Sequence, residues 1–294
     1  MLLFRKMSIA GSLMSTIALS FVPNGAYAGN FLGNAQPGTP GWALQLWPYY
    51  TKENNSQTAA NFFQLAWFSE TGLTGTKQDQ VELWLGFNGG YQKSDFEGDD
   101  SRWGVTSPQL GFEYYYQVAA TKAKPNTEGY RAWWISPTIF MNFPNGSDKS
   151  SGYGAGANQY SISASVNNFF GYDKWQLSIS PANINYLFRD KNYTDLETGG
   201  RKRMQAGLSL NLADIAFGYQ LTDTLAVGVH HQYDIYNLTD SDYARSERGR
   251  VGPTFTYSGL ADKGYWISGT LDFDYSNRNT ERATTFSAFI GKSL

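Results

Sequence analysis

The residues best suited to chemistry in this 294-residue sequence are two adjacent histidines, His230 and His231, in the stretch LAVGVHHQYDIYN. Such a pair could ligate a metal or supply a general base to a hydroxyl nucleophile. A zinc site needs three or four converging ligands, and these are the only two histidines of a chain that has no cysteine. Their neighbours decide the matter. Leu225, Val227, Val229, His231, Tyr233 and Ile235 alternate with Ala226, Gly228, His230, Gln232 and Asp234, a period of two that belongs to a β-strand. The imidazoles therefore point to opposite faces, and neither a metal, a cofactor nor a catalytic pair is expected of them. GYGAGA, residues 152–157, has the glycines of a phosphate-binding loop but neither its lysine nor its strand-to-helix setting.

The same alternation recurs along the chain. RMQAGLSLNL sets Met204, Ala206, Leu208, Leu210 and Leu212 against Arg203, Gln205, Gly207, Ser209 and Asn211. YWISGTLDFDYS and QLGFEYYYQV behave likewise, so one face is apolar and the other small or polar. Twelve candidate strands emerge, near residues 41–51, 62–69, 80–91, 107–119, 130–142, 159–170, 173–187, 202–221, 224–238, 249–258, 263–276 and 284–293. The eighth changes phase at LADI, which predicts a bulge or a hidden turn. From the fifth strand onward, long polar connections alternate with very short ones, the layout of a barrel whose loops face outside and whose turns face the periplasm. No apolar run after residue 28 could cross a bilayer as a helix. Aromatic residues make up 16% of the chain, and WALQLWPYY, EYYYQ and YRAWW gather them near strand ends, as interfacial girdles do. A soluble β-sandwich would alternate too, but would not need its aromatics there. The expected fold is all-β: a transmembrane antiparallel β-barrel of about 12 strands, closed because a bilayer leaves no backbone group to be satisfied by water.

The N-terminus agrees with that location. Residues 1–28 carry a basic start, a short apolar core and the small-residue AYA pattern, and read as a secretory signal peptide. Residues 29–40 form a lead segment, and 41–294 the barrel of a Gram-negative outer membrane. Its expected surroundings are outer-membrane lipid and lipopolysaccharide, with the barrel assembly machinery as a partner. A formal net charge of −2 gives no reason to expect a nucleic-acid partner.

On the polar faces stand Glu82, Glu113, Asp234, Asp272 and Asp274, with Arg203 and Arg250, groups that can pair across a lumen or tune what passes it. His230 and Gln232 share that side. Trp84, Tyr115, Trp134, Tyr236 and Trp266 also point inward and offer a stacking surface to an aromatic solute. A lipid-facing Ser–His hydrolase is not supported, because the outward residues flanking His231, namely Leu208, Leu210, Pro253, Phe255 and Tyr257, include no serine. The chain is therefore not expected to be an enzyme. Pro137, Pro181 and Pro253 fall inside strands, where each removes a ladder hydrogen bond. Pro137 and Pro181 flank the weakly apolar strand YSISASVNNFF, which points either to a seam in the wall that lets a solute leave sideways or to a bulge that shapes the barrel.

NYLFRDKNYTDLETGG, YQLTDTLAVGVHHQYDIYNLTDSD and RVGPTFTYSGL resemble successive signatures of the outer-membrane channel family of meta-pathway phenol-degradation transporters. The resemblance covers roughly residues 175–294. It implies a twelve-stranded barrel, an N-terminal segment folded into the lumen, and passive uptake of small hydrophobic or aromatic compounds. Phe31 and Leu32 would then anchor a lumenal plug rather than a loose periplasmic leader. A general pore for polar solutes and a structural or adhesive barrel are the alternatives.

Overall fold

The computed structural model describes residues 31–32, 36–73, 79–94, 100–105, 108–144, 160–188, 193–194, 201–202, 206–236, 238 and 245–294. The expected signal peptide and Arg203 lie outside them. The strands are β1 (Gly41–Glu53), β2 (Ser56–Glu70), β3 (Gln80–Ser94), β4 (Asp100–Val105), β5 (Gln109–Ala120), β6 (Arg131–Asn142), β7 (Ser161–Tyr172), β8 (Trp175–Leu187), β9 (Tyr193–Thr194), β10 (Arg201–Lys202), β11 (Gly207–Gln220), β12 (Leu225–Tyr236), β13 (Ser246–Tyr257), β14 (Tyr265–Arg278) and β15 (Ala283–Ser293).

Each barrel strand pairs antiparallel with its sequence neighbour, and β1 pairs with both β2 and β15, which closes a 12-strand barrel. The other strands decorate it. β4 folds back on the outer half of β3, and β9 and β10 form a separate ribbon in the β8–β11 connection. Expected strand eight thus starts at Gly207 rather than at residue 202, because Arg201 and Lys202 pair with Thr194 and Tyr193. The expected turn in LADI is a bulge: the β11–β12 register shifts between Leu212 and Ile215, and Ala213 takes a φ of 48°.

The alternation follows from the solvent on each side. Leu44, Leu85, Ile139, Ile184, Val229 and Phe273 are exposed on the outside, where the medium is hydrocarbon, whereas buried polar residues face inward on the same strands. Trp42, Trp67, Trp133, Tyr172 and Trp175 ring the end where β1 begins, and Tyr160, Tyr186 and Tyr275 stand toward the other end. These are the two interfacial girdles of a membrane barrel. His231 joins the outer one, accepting from or donating to Tyr275 Oη at 2.9 Å.

Candidate functional site

The lumen has two unlike walls. The wall of β11–β15 carries charged groups in mutual contact. The bulge at Ala213 turns Asp214 inward, where its Oδ1 lies 3.0 Å from His230 Nε2; His230 Nδ1 lies 2.9 Å from Asp272 Oδ1. His231 Nδ1, on the outside, meets the carbonyl oxygen of Ala213 at 2.9 Å. A step further along the wall, Asp234 accepts from Arg250 at 2.7 Å and from Asn211 and Gln232, each at 2.9 Å. Nearest the outer mouth, Arg248 pairs with Glu53 across the β1–β15 closure at 2.6 Å and with Asp274 at 3.1 Å. Arg248, with 1% of its surface exposed, has no water to fall back on.

The wall of β1–β7 is aromatic. Phe62, Phe68, Trp84, Tyr115, Trp134, Phe140 and Phe169 form one buried cluster. Trp84 lies flat across β5 because Gly111 has no side chain there: a Cβ at that position would occupy the indole. Its Nε1 donates to Gln109 at 2.8 Å. Two carboxylates interrupt this wall. Glu82 accepts from Tyr115 at 2.6 Å, Gln45 at 3.0 Å and Gln64 at 3.1 Å, and Glu113 accepts from Asn167 at 3.3 Å.

Between the walls lies a cavity of about 460 Å³, lined among others by Trp47, Phe62, Trp84, Glu82, Glu113, Tyr115, Phe140, Asn167, Asp214 and Trp266. Phe31, Leu32 and residues 36–39 line it as well. Phe31 and Leu32 are buried inside the barrel. Leu32 packs on Ala216 and Ala226 and occupies the space a side chain at Gly218 would need. Its carbonyl accepts from Thr256 Oγ1 at 2.8 Å, and Phe31 meets the Trp47 ring at 6.0 Å between centroids.

Of the residues expected inside, Trp84, Glu113, Tyr115 and Trp266 come together at the cavity. His230, Gln232, Asp234, Asp272 and Asp274 belong instead to the paired network of the opposite wall, and Trp134 and Tyr236 are buried away from the cavity lining. Asp214 and Arg248 were not singled out from the sequence. For Asp214 the phase change at LADI is the available signal, since a bulge reverses which side chains face in.

Pro137, Pro181 and Pro253 face outward and are exposed. Pro181 is skipped by both neighbours: the β7–β8 ladder passes from Ser165–Asn183 to Asn168–Ile179, and the β8–β11 ladder from Leu212–Ala182 to Asp214–Ser180. Pro137 corrects one part of the expected seam. Its pairing with Val166 on β7 is continuous, and the lapse falls on its other side, between β5 and β6. The reason is directional: a strand residue bonds to one neighbour only, so a missing N–H interrupts one ladder, and Pro181 lapses on both flanks because a β7–β8 register shift and the bulged Ala213 also fall opposite it. Pro253 and Gly252 are likewise passed over between β13 and β14. At Pro181 the inner surface is the cavity itself, with Ser165, Asn167, Ser180 and Asn183 in its lining.

An apolar belt, two aromatic girdles and a closed polar-lined sheet define a transmembrane β-barrel of the outer-membrane type. In fold it is similar to the COG4313 outer membrane channel from Pseudomonas putida F1, with a TM-score of 0.65 at 13% identity, covering 88% of this chain and 98% of that one. It is also similar to the transport unit of the autotransporter AIDA-I from Escherichia coli, with a TM-score of 0.50 at 11% identity over 97% of this chain and 98% of that one. No protein-family model and no curated protein sequence matches the chain.

Proposed function

We propose that this barrel is an outer-membrane channel for passive uptake of small hydrophobic or aromatic molecules. The observation that carries the reading is the cavity of about 460 Å³ inside the lumen, walled on one side by aromatic rings. That volume suits a small ligand, and flat rings offer an aromatic solute stacking surface. The barrel of known structure with the higher TM-score is itself an outer membrane channel. The resemblance of the C-terminal motifs to those of the meta-pathway phenol-degradation transporters supports the same substrate class.

A solute would be captured among the outer loops, rest in the cavity against Trp84 and Tyr115, and pass the segment around Phe31 and Leu32, which acts as a plug. Release would run to the periplasm or sideways at Pro181, where the wall lacks ladder bonds on both flanks and cavity and lipid are one strand apart. Among the described residues there is no cluster fit to hold a metal, and His230 is engaged by two carboxylates. The plug is tested by deleting residues 30–39 and recording single-channel conductance in planar bilayers. A several-fold rise is expected; an unaltered conductance would reject the plug.

A further inference from the structure

We propose that the cavity selects an organic cation: a small aromatic amine, bound as its ammonium by Glu113 and Glu82 and held by the surrounding rings. This rests on the channel reading and narrows its substrates from aromatic molecules in general to protonated aromatic amines.

Glu82 and Glu113 stand directly opposite each other on β3 and β5. Like charges at directly opposed positions are destabilising, and a cation between them would convert that cost into attraction. No such cation is built in: the cavity lining includes no lysine, arginine or histidine among the described residues. Arg248 is held by Glu53 and Asp274, Arg250 by Asp234, and His230 by Asp214 and Asp272. The three groups donating to Glu82 are neutral. Glu113 accepts from the neutral Asn167 and is half-buried with the cavity before it.

An independent feature points to the same kind of ligand. Ser180 is 4% exposed, lines this cavity, and its hydroxyl has no hydrogen-bond partner. The carbonyl oxygen of the Asn183 side chain, also in the lining, is unpartnered too. Buried acceptors left unmet are costly, and an ammonium brings three donors. Trp84 and Phe140, both in the lining, supply aromatic rings of the kind whose π-faces attract a cation electrostatically once water is excluded.

The probes are 2-phenylethylammonium and its near-isosteric neutral partner 2-phenylethanol, titrated at pH 7 into the full purified protein in detergent and followed by tryptophan fluorescence. The ammonium should bind at least about tenfold more tightly, the factor expected of a charge-assisted hydrogen bond in a dry site. Glu113→Gln, which keeps an acceptor for Asn167, should bring the two affinities together. Folding of the variant is checked by its heat-dependent mobility on gels, and the wild-type ratio stands as a test that needs no variant. Equal affinities in the wild type would overturn the proposal and mean that the carboxyl pair neutralises itself by sharing a proton. A preference that survives Glu113→Gln would overturn the assignment to Glu113. Tight binding of the alcohol alone would sink the cation proposal and leave the channel reading standing, whereas binding of neither probe would count against both.

Discussion

The two walls of the lumen use the same charged side chains to opposite ends. On β11–β15 each of Arg248, Arg250 and His230 is closed off by carboxylates. On β1–β7 Glu82 and Glu113 stand side by side on paired strands in the lining of the cavity, with only neutral donors around them. A paired charge in a low-dielectric interior fixes geometry, and removing one member leaves the other stranded. An unpaired one is available to a visitor. The charged wall is therefore scaffold and the aromatic wall is the working surface, although a count of inward charges would suggest the reverse.

That contrast can be broken most severely at Arg248. Arg248→Ala leaves Glu53 and Asp274 buried without their cation and should cost about 3–5 kcal/mol. Urea unfolding in lipid vesicles, followed by tryptophan fluorescence, measures it; a loss below about 1 kcal/mol would mean that water enters this wall and that the pairing is not structural. Pro181→Val acts where the cavity meets the wall. It restores an N–H to a strand that lacks ladder bonds on both flanks and should lower aromatic uptake several-fold while leaving the barrel at least as stable. Unchanged uptake would rule out release at this seam.

The smallest effect comes from the same ion-pair chemistry moved to the rim. Asp173, in the β7–β8 turn, accepts from Arg131 Nη1 and from the Gly129 N–H, each at 2.6 Å. The Arg131 guanidinium holds its carboxyl below the ordinary range, helped by the Gly129 N–H. A lowered folded-state value means the contribution is present above the carboxyl's ordinary range, roughly pH 4, and is lost as pH falls through the folded value. Melting curves across that window should show a slight acid-dependent loss that Asp173→Asn abolishes. A surface pair open to solvent contributes little, so an effect as large as that of Arg248→Ala would overturn the distinction between buried scaffold and rim.

Much of this architecture was legible in the sequence because a barrel wall has one solvent on each side, and period-two alternation records both. The two histidines were correctly separated to opposite faces on that ground alone. The ends of strands were less legible. β2 begins at Ser56 rather than near residue 62, since SQTAAN lies beyond the apolar belt and carries no alternation to read. β4 continues a hairpin outside the membrane and is invisible for the same reason. Partnerships were hidden more deeply: Arg248 and Glu53 are 195 residues apart, and which inward charge meets which depends on closure between β1 and β15. Alternation alone could not sort the inward residues named from sequence into scaffold and cavity.

The most direct test of the account is the initial rate of uptake of radiolabelled 2-phenylethylamine, an aromatic amine, and of a small sugar, in Gram-negative cells with an intact lipopolysaccharide leaflet, with and without this protein. The account predicts that the aromatic enters several-fold faster when the protein is present and that the sugar does not. Faster entry of the sugar alone would identify a polar pore, and no change in either would leave a barrel without a transport role.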